Sequence, residues 1–174
     1  MKWLRACALA TLILSLNSVC LAQFLPNNHD LSEESLSRWM SSNHSMGLLM
    51  EAIDATLPTD DLYLAFESLP AQEQDFLINE ILSDRELSEQ AARVTRQHGW
   101  KSIGEFRRYG NRLGNAIAAY FVWQDMQELN DAQVELLKQT IDPVVLAVSQ
   151  EDINFVAQHE KILSRYIQSY ASEM

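Results

Sequence analysis

Apolar residues along this chain recur at steps of three and four, and no stretch alternates long enough to make a convincing strand. The longest such series is Ile103, Phe106, Gly110, Leu113, Ile117 and Phe121, closed by Gln124. Ser102 and Glu105 open it as an S-x-x-E capping box, in which two otherwise orphaned amide donors find acceptors. The pattern predicts a helix over 103–128. At about 100° per residue, Arg112, Ala116, Ala119 and Trp123 fall on the opposite side. Two alanines and a tryptophan do not suit a wet surface, so this helix is expected to be central and contacted from two directions, with Arg112 either partly covered or lining a groove.

The flanking pattern predicts further helices. Asp30 or Ser32 caps the first, with Glu33 and Glu34 favourable in its first turn and Leu31, Leu36, Trp39 and Met40 inside. Ser41-Ser42-Asn43 interrupts it with weak helix formers before Met46, Leu49, Met50 and Ile53 resume the spacing, which leaves one kinked helix or two. Pro58 ends that segment, and Thr59-Asp60-Asp61 opens a short helix through Phe66. Leu69-Pro70 starts the next, since proline at a first helical position removes no internal hydrogen bond; Phe76, Leu77, Ile81 and Leu82 make its stripe. Asp84 begins another with Leu87, Ala91 and Val94 inward, stopped by a left-handed Gly99.

After the central helix, Asp131 caps a segment with Val134, Leu137 and Ile141 inside, broken at Asp142-Pro143. Val144 to Val148 reads as a short helix or covered turn. Ser149 and Asp152 cap the last helix, whose inner positions are Ile153, Val156, His159 or Glu160, Leu163 and Ile167. Four openings look alike (LSEESL, LPAQEQDFL, LNDAQVELL and VSQEDINFV), but their spacing is unequal, and shared capping chemistry accounts for the likeness. The expectation is an all-α fold, a single compact bundle of about six to eight helices around the helix 103–128.

Residues 1–22 do not fit that bundle. Lys2 and Arg5 make a basic start, Leu4 and Ala6 to Leu16 an apolar core, and Cys20-Leu21-Ala22 a signal-peptidase site, so cleavage is expected before Gln23. A lipoprotein acylated at Cys20 is the alternative, and Val19 and Asn17 suit that recognition site poorly. Residues 23–30 read as a flexible lead and 31–174 as a single helical domain, with no linker or compositional break inside it. The expected location is periplasmic or secreted.

Removing 22 of the 174 residues leaves 152, enough for a substantial core. Both cysteines, Cys7 and Cys20, leave with the leader, so the mature chain would have no disulfide, thiol nucleophile or thiolate metal site. Lys2 and Arg5 leave too; 11 basic residues then face 24 acidic ones, a net charge of −13. That balance argues against nucleic acid and anionic membrane as partners, and no stable membrane insertion is expected after cleavage.

Chemistry is sparse. The chain has no H-E-x-x-H, G-x-S-x-G or phosphate-binding glycine loop, and no cofactor or metal is expected. His98 lies in a helix C-terminal turn, where a local cap contact explains it; His159-Glu160 lacks a second histidine at ligand spacing. Paired carboxylates sit in first turns, where the helix dipole favours them. Gly110, Gly114 and Ala118 make a small-residue strip, read as the close approach of another helix backbone or, alternatively, of a ligand.

Arg107, Arg108 and Arg112 concentrate scarce basic charge in six positions. Arg108 and Arg112 share a face with Asn111 and Asn115, and with Trp123 these are the candidate ligand-binding residues. An arginine fork grips a carboxylate or phosphate, so Arg112 is either a structural clamp for a carboxylate of this chain or an anion-recognising residue.

Gly99-Trp100, Ser102, Glu105-Phe106, Gly110-Asn111-Arg112-Leu113, Ala116 and Tyr120 together resemble a segment of small, exported, helical proteins of proteobacteria whose function is not established, and LSEESLSRWM looks like their first-helix opening. Asn111 stands where those proteins more usually have an acid, and Leu113 where valine is common. The resemblance implies an exported helical domain and contributes no reaction, cofactor or catalytic set.

The functional expectation is an exported, non-enzymatic binding or accessory module for a protein or small amphiphile, working through the 108–123 edge. The alternatives are a hydrolase or metal-assisted enzyme using His98 or His159 with carboxylates, and a purely structural or stress-related accessory protein.

Overall fold

Eight helices and no strand are found among the described residues, which in this computed structural model are 31–57 and 59–171. The leader, cleavage site and flexible lead expected within residues 1–30, together with Pro58 and residues 172–174, lie outside them. In chain order the helices are α1 (Glu33–Asp54), α2 (Asp60–Glu67), α3 (Ala71–Asp84), α4 (Ser88–His98), α5 (Ile103–Gln127), α6 (Asp131–Lys138), α7 (Pro143–Leu146) and α8 (Gln150–Ala171). The fold is all-α. The described chain divides into two compact units, 31–112 and 113–171, with the division inside α5. No helix among the described residues is long and apolar enough to cross a membrane.

In the 31–112 unit, α1 packs on both α3 and α4, which also pack on each other. Ser32 caps α1 by accepting from the Ser35 amide. The helix then runs through Ser41-Ser42-Asn43 without a break, against the interruption expected there. The reason is Ser42, which is wholly buried: its hydroxyl donates to the Arg38 carbonyl at 2.8 Å and accepts from the Trp100 indole nitrogen at 3.0 Å. A side chain that would compete with the helix in water instead receives a buried donor from 58 residues away. Around it, Trp100 meets Phe106 edge-on at 5.5 Å and Tyr109 at 5.8 Å, while Trp39 stacks on Phe106 at 6.1 Å.

Other boundaries move for similar reasons. Pro70 stands at the N-cap of α3, one position before the helix proper. The buried residues of α3 are Gln74, Ile78 and Leu82, and Phe76, expected inside, is 62% exposed. Asp84 ends α3 and does not begin α4. The stop is a Schellman motif: the Leu87 amide bonds the Leu82 carbonyl, the Glu86 amide bonds that of Ser83, and Glu86 takes the left-handed conformation at φ 58°. Gly99 does adopt the left-handed C-cap read from the sequence, at φ 74°.

On α5 the buried apolar side chains are Ile103, Phe106, Tyr109, Leu113, Ala116, Ala119 and Tyr120. Ala116 and Ala119 on the far side are buried along with Leu113 on the main stripe, in keeping with contact from two directions. Ile117 and Phe121 are half-buried and Gln124 and Trp123 exposed, so the buried stripe is rotated from the one expected.

In the 113–171 unit, Asn130 caps α6, not Asp131, in a capping box with Gln133. α6 buries no side chain: Val134 and Leu137 are half-covered and Leu136 is 64% exposed. α7 has proline at its first position, and Asp142 accepts from the Val144 amide. The Asp152 amide donates to the Ser149 hydroxyl at the start of α8, which buries Val156 and Leu163.

Candidate functional site

Arg107, Arg108, Asn111 and Arg112 lie on the first half of α5, and α1, α2 and α3 supply what the first three of them bind. Arg107 is the buried one. Its Nε donates to Glu67 Oε1 at 3.1 Å and its Nη1 to Asp54 Oδ1 at 2.7 Å, and the guanidinium lies 5.2 Å and 5.5 Å from the ring centres of Tyr63 and Phe66. The side chains of Arg107 and Glu67 are 6% and 5% exposed, whereas that of Asp54 is 59% exposed. Burial by itself lowers the guanidinium pKa; Tyr63, Glu67 and Asp54 outweigh it and hold the pKa above its ordinary value. Arg107 is therefore a fixed cation.

Arg108 turns to α3. Its Nη1 donates to Asp75 Oδ1 at 2.9 Å and its Nη2 to Oδ2 at 3.3 Å, the fork geometry that arginine makes with a carboxylate. Ser102, which caps α5 through the Glu105 amide, also donates to Asp75 Oδ1 at 3.1 Å. Gly104 makes room for this arrangement, since a Cβ there would stand 1.8 Å from Asp75 Oδ1 and 2.8 Å from Arg108 Nη1. Gln74 joins the two arginine sites: its amide nitrogen donates to the Glu67 and Leu69 carbonyls, and its oxygen accepts from Arg108 Nη1 at 3.4 Å.

Of the predicted set, Arg108 thus binds Asp75, and Asn111 donates to the Tyr63 hydroxyl at 3.2 Å. Arg112 is half-buried and is not a free cation. Asn115 is half-buried and Trp123 is 42% exposed. The five share one side of α5 by helical spacing, but their surroundings differ along it, from a carboxylate of α3 at Arg108 to solvent at Trp123. Arg107 belongs to the arginine cluster of the sequence but not to its candidate ligand-binding set. Its signal was present only as one more arginine, because its partners lie 40 and 53 residues away.

The glycine strip also resolves differently. A Cβ at Gly110 would stand 2.9 Å from the Trp39 indole nitrogen, so a side chain and not a helix backbone occupies that space, and nothing lies within 4 Å of one at Gly114.

His159 Nδ1 donates to the Phe155 carbonyl at 2.8 Å and its ring stacks on Phe155 at 4.2 Å. His98 Nε2 is enclosed with no hydrogen-bond partner among the described residues. Among those residues no group of three or more His, Cys, Asp or Glu is placed to hold a metal ion.

On α5 and α8, Tyr120 donates to Glu160 Oε2 at 3.1 Å and accepts from Gln124 at 2.6 Å. Burial first, and the Glu160 carboxylate second, raise the Tyr120 pKa. The cleft beside them, lined by Ile117, Phe121, Leu163 and Ile167 among others, encloses about 70 Å³. Small-molecule pockets run from about 300 Å³ upward, and this cleft is smaller than that.

Comparison with protein-family models, curated proteins and solved structures finds no match to this chain.

Proposed function

We propose that this chain is an exported, non-enzymatic accessory module that works by contact with another protein. The observation that carries the reading is α6. A helix of 8 residues is marginal by itself in water, where isolated helices shorter than about 12–15 residues do not hold, yet it buries none of its side chains. It carries an exposed leucine where a helix with only structural work to do would turn its apolar side inward. Trp123, Leu146 and Ile162 in the same unit are also exposed. The arginines that would make an anion site lend no comparable support, because Arg107 and Arg108 are committed to carboxylates of this chain.

Two measurements test the reading. Intact-mass analysis of the exported protein should give a chain beginning at Gln23; a diacylated chain beginning at Cys20 would replace the soluble assignment with a lipoprotein. Photo-crosslinking in cells, with benzoylphenylalanine at Leu136 or Trp123, should give a discrete adduct with another protein. Absence of any adduct from both positions would remove the contact reading.

A further inference from the structure

We propose that residues 123–146 dock a cationic amphipathic helix of the partner protein; this rests on the contact reading above and specifies its partner. The segment comprises the end of α5, all of α6 and all of α7. It exposes Trp123, Leu136 and Leu146 within 24 consecutive residues. The charges between them are Asp125, Glu128, Asp131, Glu135 and Asp142, against Lys138 alone. Four of those five carboxylates are exposed, Asp142 being half-buried and engaged in capping α7. Lys138 is bonded to Glu135 at 2.7 Å, so the segment's only base is already matched by one of its own acids.

Apolar side chains interspersed with unrelieved negative charge select an occupant that presents leucine-like residues on one side and lysine or arginine beside them. Such a helix buries apolar surface and meets complementary potential in one approach, which speeds encounter and suppresses wrong partners. The same charge opposes a second copy of this chain, which would bring like charges together, and it opposes an anionic membrane. The capping box of Asn130 and Gln133 prepares the surface, since both orphan donors at the α6 start are satisfied before any partner arrives. Less ordering remains to be done on binding.

The test uses the purified full chain and labelled synthetic peptides about five turns long. One has leucine along one face and lysine on the other, one has glutamate in place of lysine, and one has the leucine-lysine composition scrambled out of amphipathic order. Fluorescence anisotropy should show binding of the ordered lysine peptide only. Leu136→Ser and Trp123→Ser, both at exposed positions and so compatible with folding, should each weaken it about tenfold. Leu62→Ser, at an exposed leucine of α2, should leave it unchanged.

Equal binding by Leu136→Ser and the parent would overturn the proposal, because charge alone would then account for it. So would a preference for the glutamate peptide, a dimer in sedimentation that Leu136→Ser dissolves, or Leu136-dependent binding to phosphatidylcholine vesicles. An in-cell adduct at Leu136 with no binding of the lysine peptide would overturn this choice of partner and leave the contact reading standing; no adduct at either position removes the contact reading itself.

Discussion

The two units of this molecule solve the problem of burial differently. Among the described residues, 31–112 holds fourteen buried apolar side chains and 113–171 holds seven, four of them on α5. The contrast is sharper for polar groups. Ser42, Glu67, Gln74, Thr95, Glu105 and Arg107 are buried in the first unit, and only Asp152 in the second. Buried polar groups have to be matched one by one, and in the first unit they are: Ser42 to Trp100, Arg107 to Glu67, Gln74 to the Glu67 and Leu69 carbonyls. Matching of that kind fixes one arrangement of helices. The second unit has little of it, and its short helices α6 and α7 leave leucines in solvent.

The largest effect should come from removing Arg107. Arg107→Ala leaves Glu67 buried without its cation, and breaking a buried pair costs about 3–5 kcal/mol, to be read as a lower urea midpoint. Replacing both, as Arg107→Met with Glu67→Leu, should recover most of the loss. If Arg107→Ala melts like the parent, the first unit is not specified by its polar core. Next is Gly104→Ala. The added methyl group displaces Asp75 from Ser102 and Arg108, an overpacking cost of about 1–3 kcal/mol. In an Asp75→Ala background the same substitution should instead stabilise, as alanine's helix propensity is then unopposed.

In the second unit, Tyr120 supplies a pH dependence. Its folded pKa is raised above the ordinary 10.0, so the unfolded chain gives up this proton first as pH rises. Its contribution is therefore fully present below pH 10 and is lost as pH climbs through the folded value. Denaturant melts across that range should fall less steeply for Tyr120→Phe than for the parent. The smallest effect belongs to Leu136→Ala. At an exposed position away from buried features the change should stay within about 0.5 kcal/mol. A large loss there would mean that α6 is part of a packed core, and the comparison would fail.

What the sequence made legible follows from how local each feature is. The Ser102–Glu105 start, the Gly99 stop and the burial of Leu113 are set within a few turns of helix, and each was readable. Ser41-Ser42-Asn43 reads as an interruption because weak helix propensity is local, while the partner of Ser42, Trp100, is 58 residues away. Spacing places Phe76 inside, but Gln74 takes the buried position because the end of α2 and the connection after it offer its amide two carbonyls. Arg107 and Arg108 are adjacent in sequence and point about 100° apart on the helix. Which of them is buried depends on Glu67, Asp54 and Asp75, residues that no pattern around position 107 can identify.

The space opposite each missing methyl group has a use in protein engineering. Gly47 and Gly114 sit inside helices with nothing within 4 Å of an added Cβ, whereas Glu86 occupies a left-handed position that suits glycine better. Exchanging these preferences, with alanine at 47 and 114 and glycine at 86, should raise the melting temperature, each alanine contributing up to about 1 kcal/mol. None of the three lies in 123–146, so the hardened protein would keep the proposed docking surface. It would serve as a background in which surface variants too fragile to purify from the parent chain could still be measured.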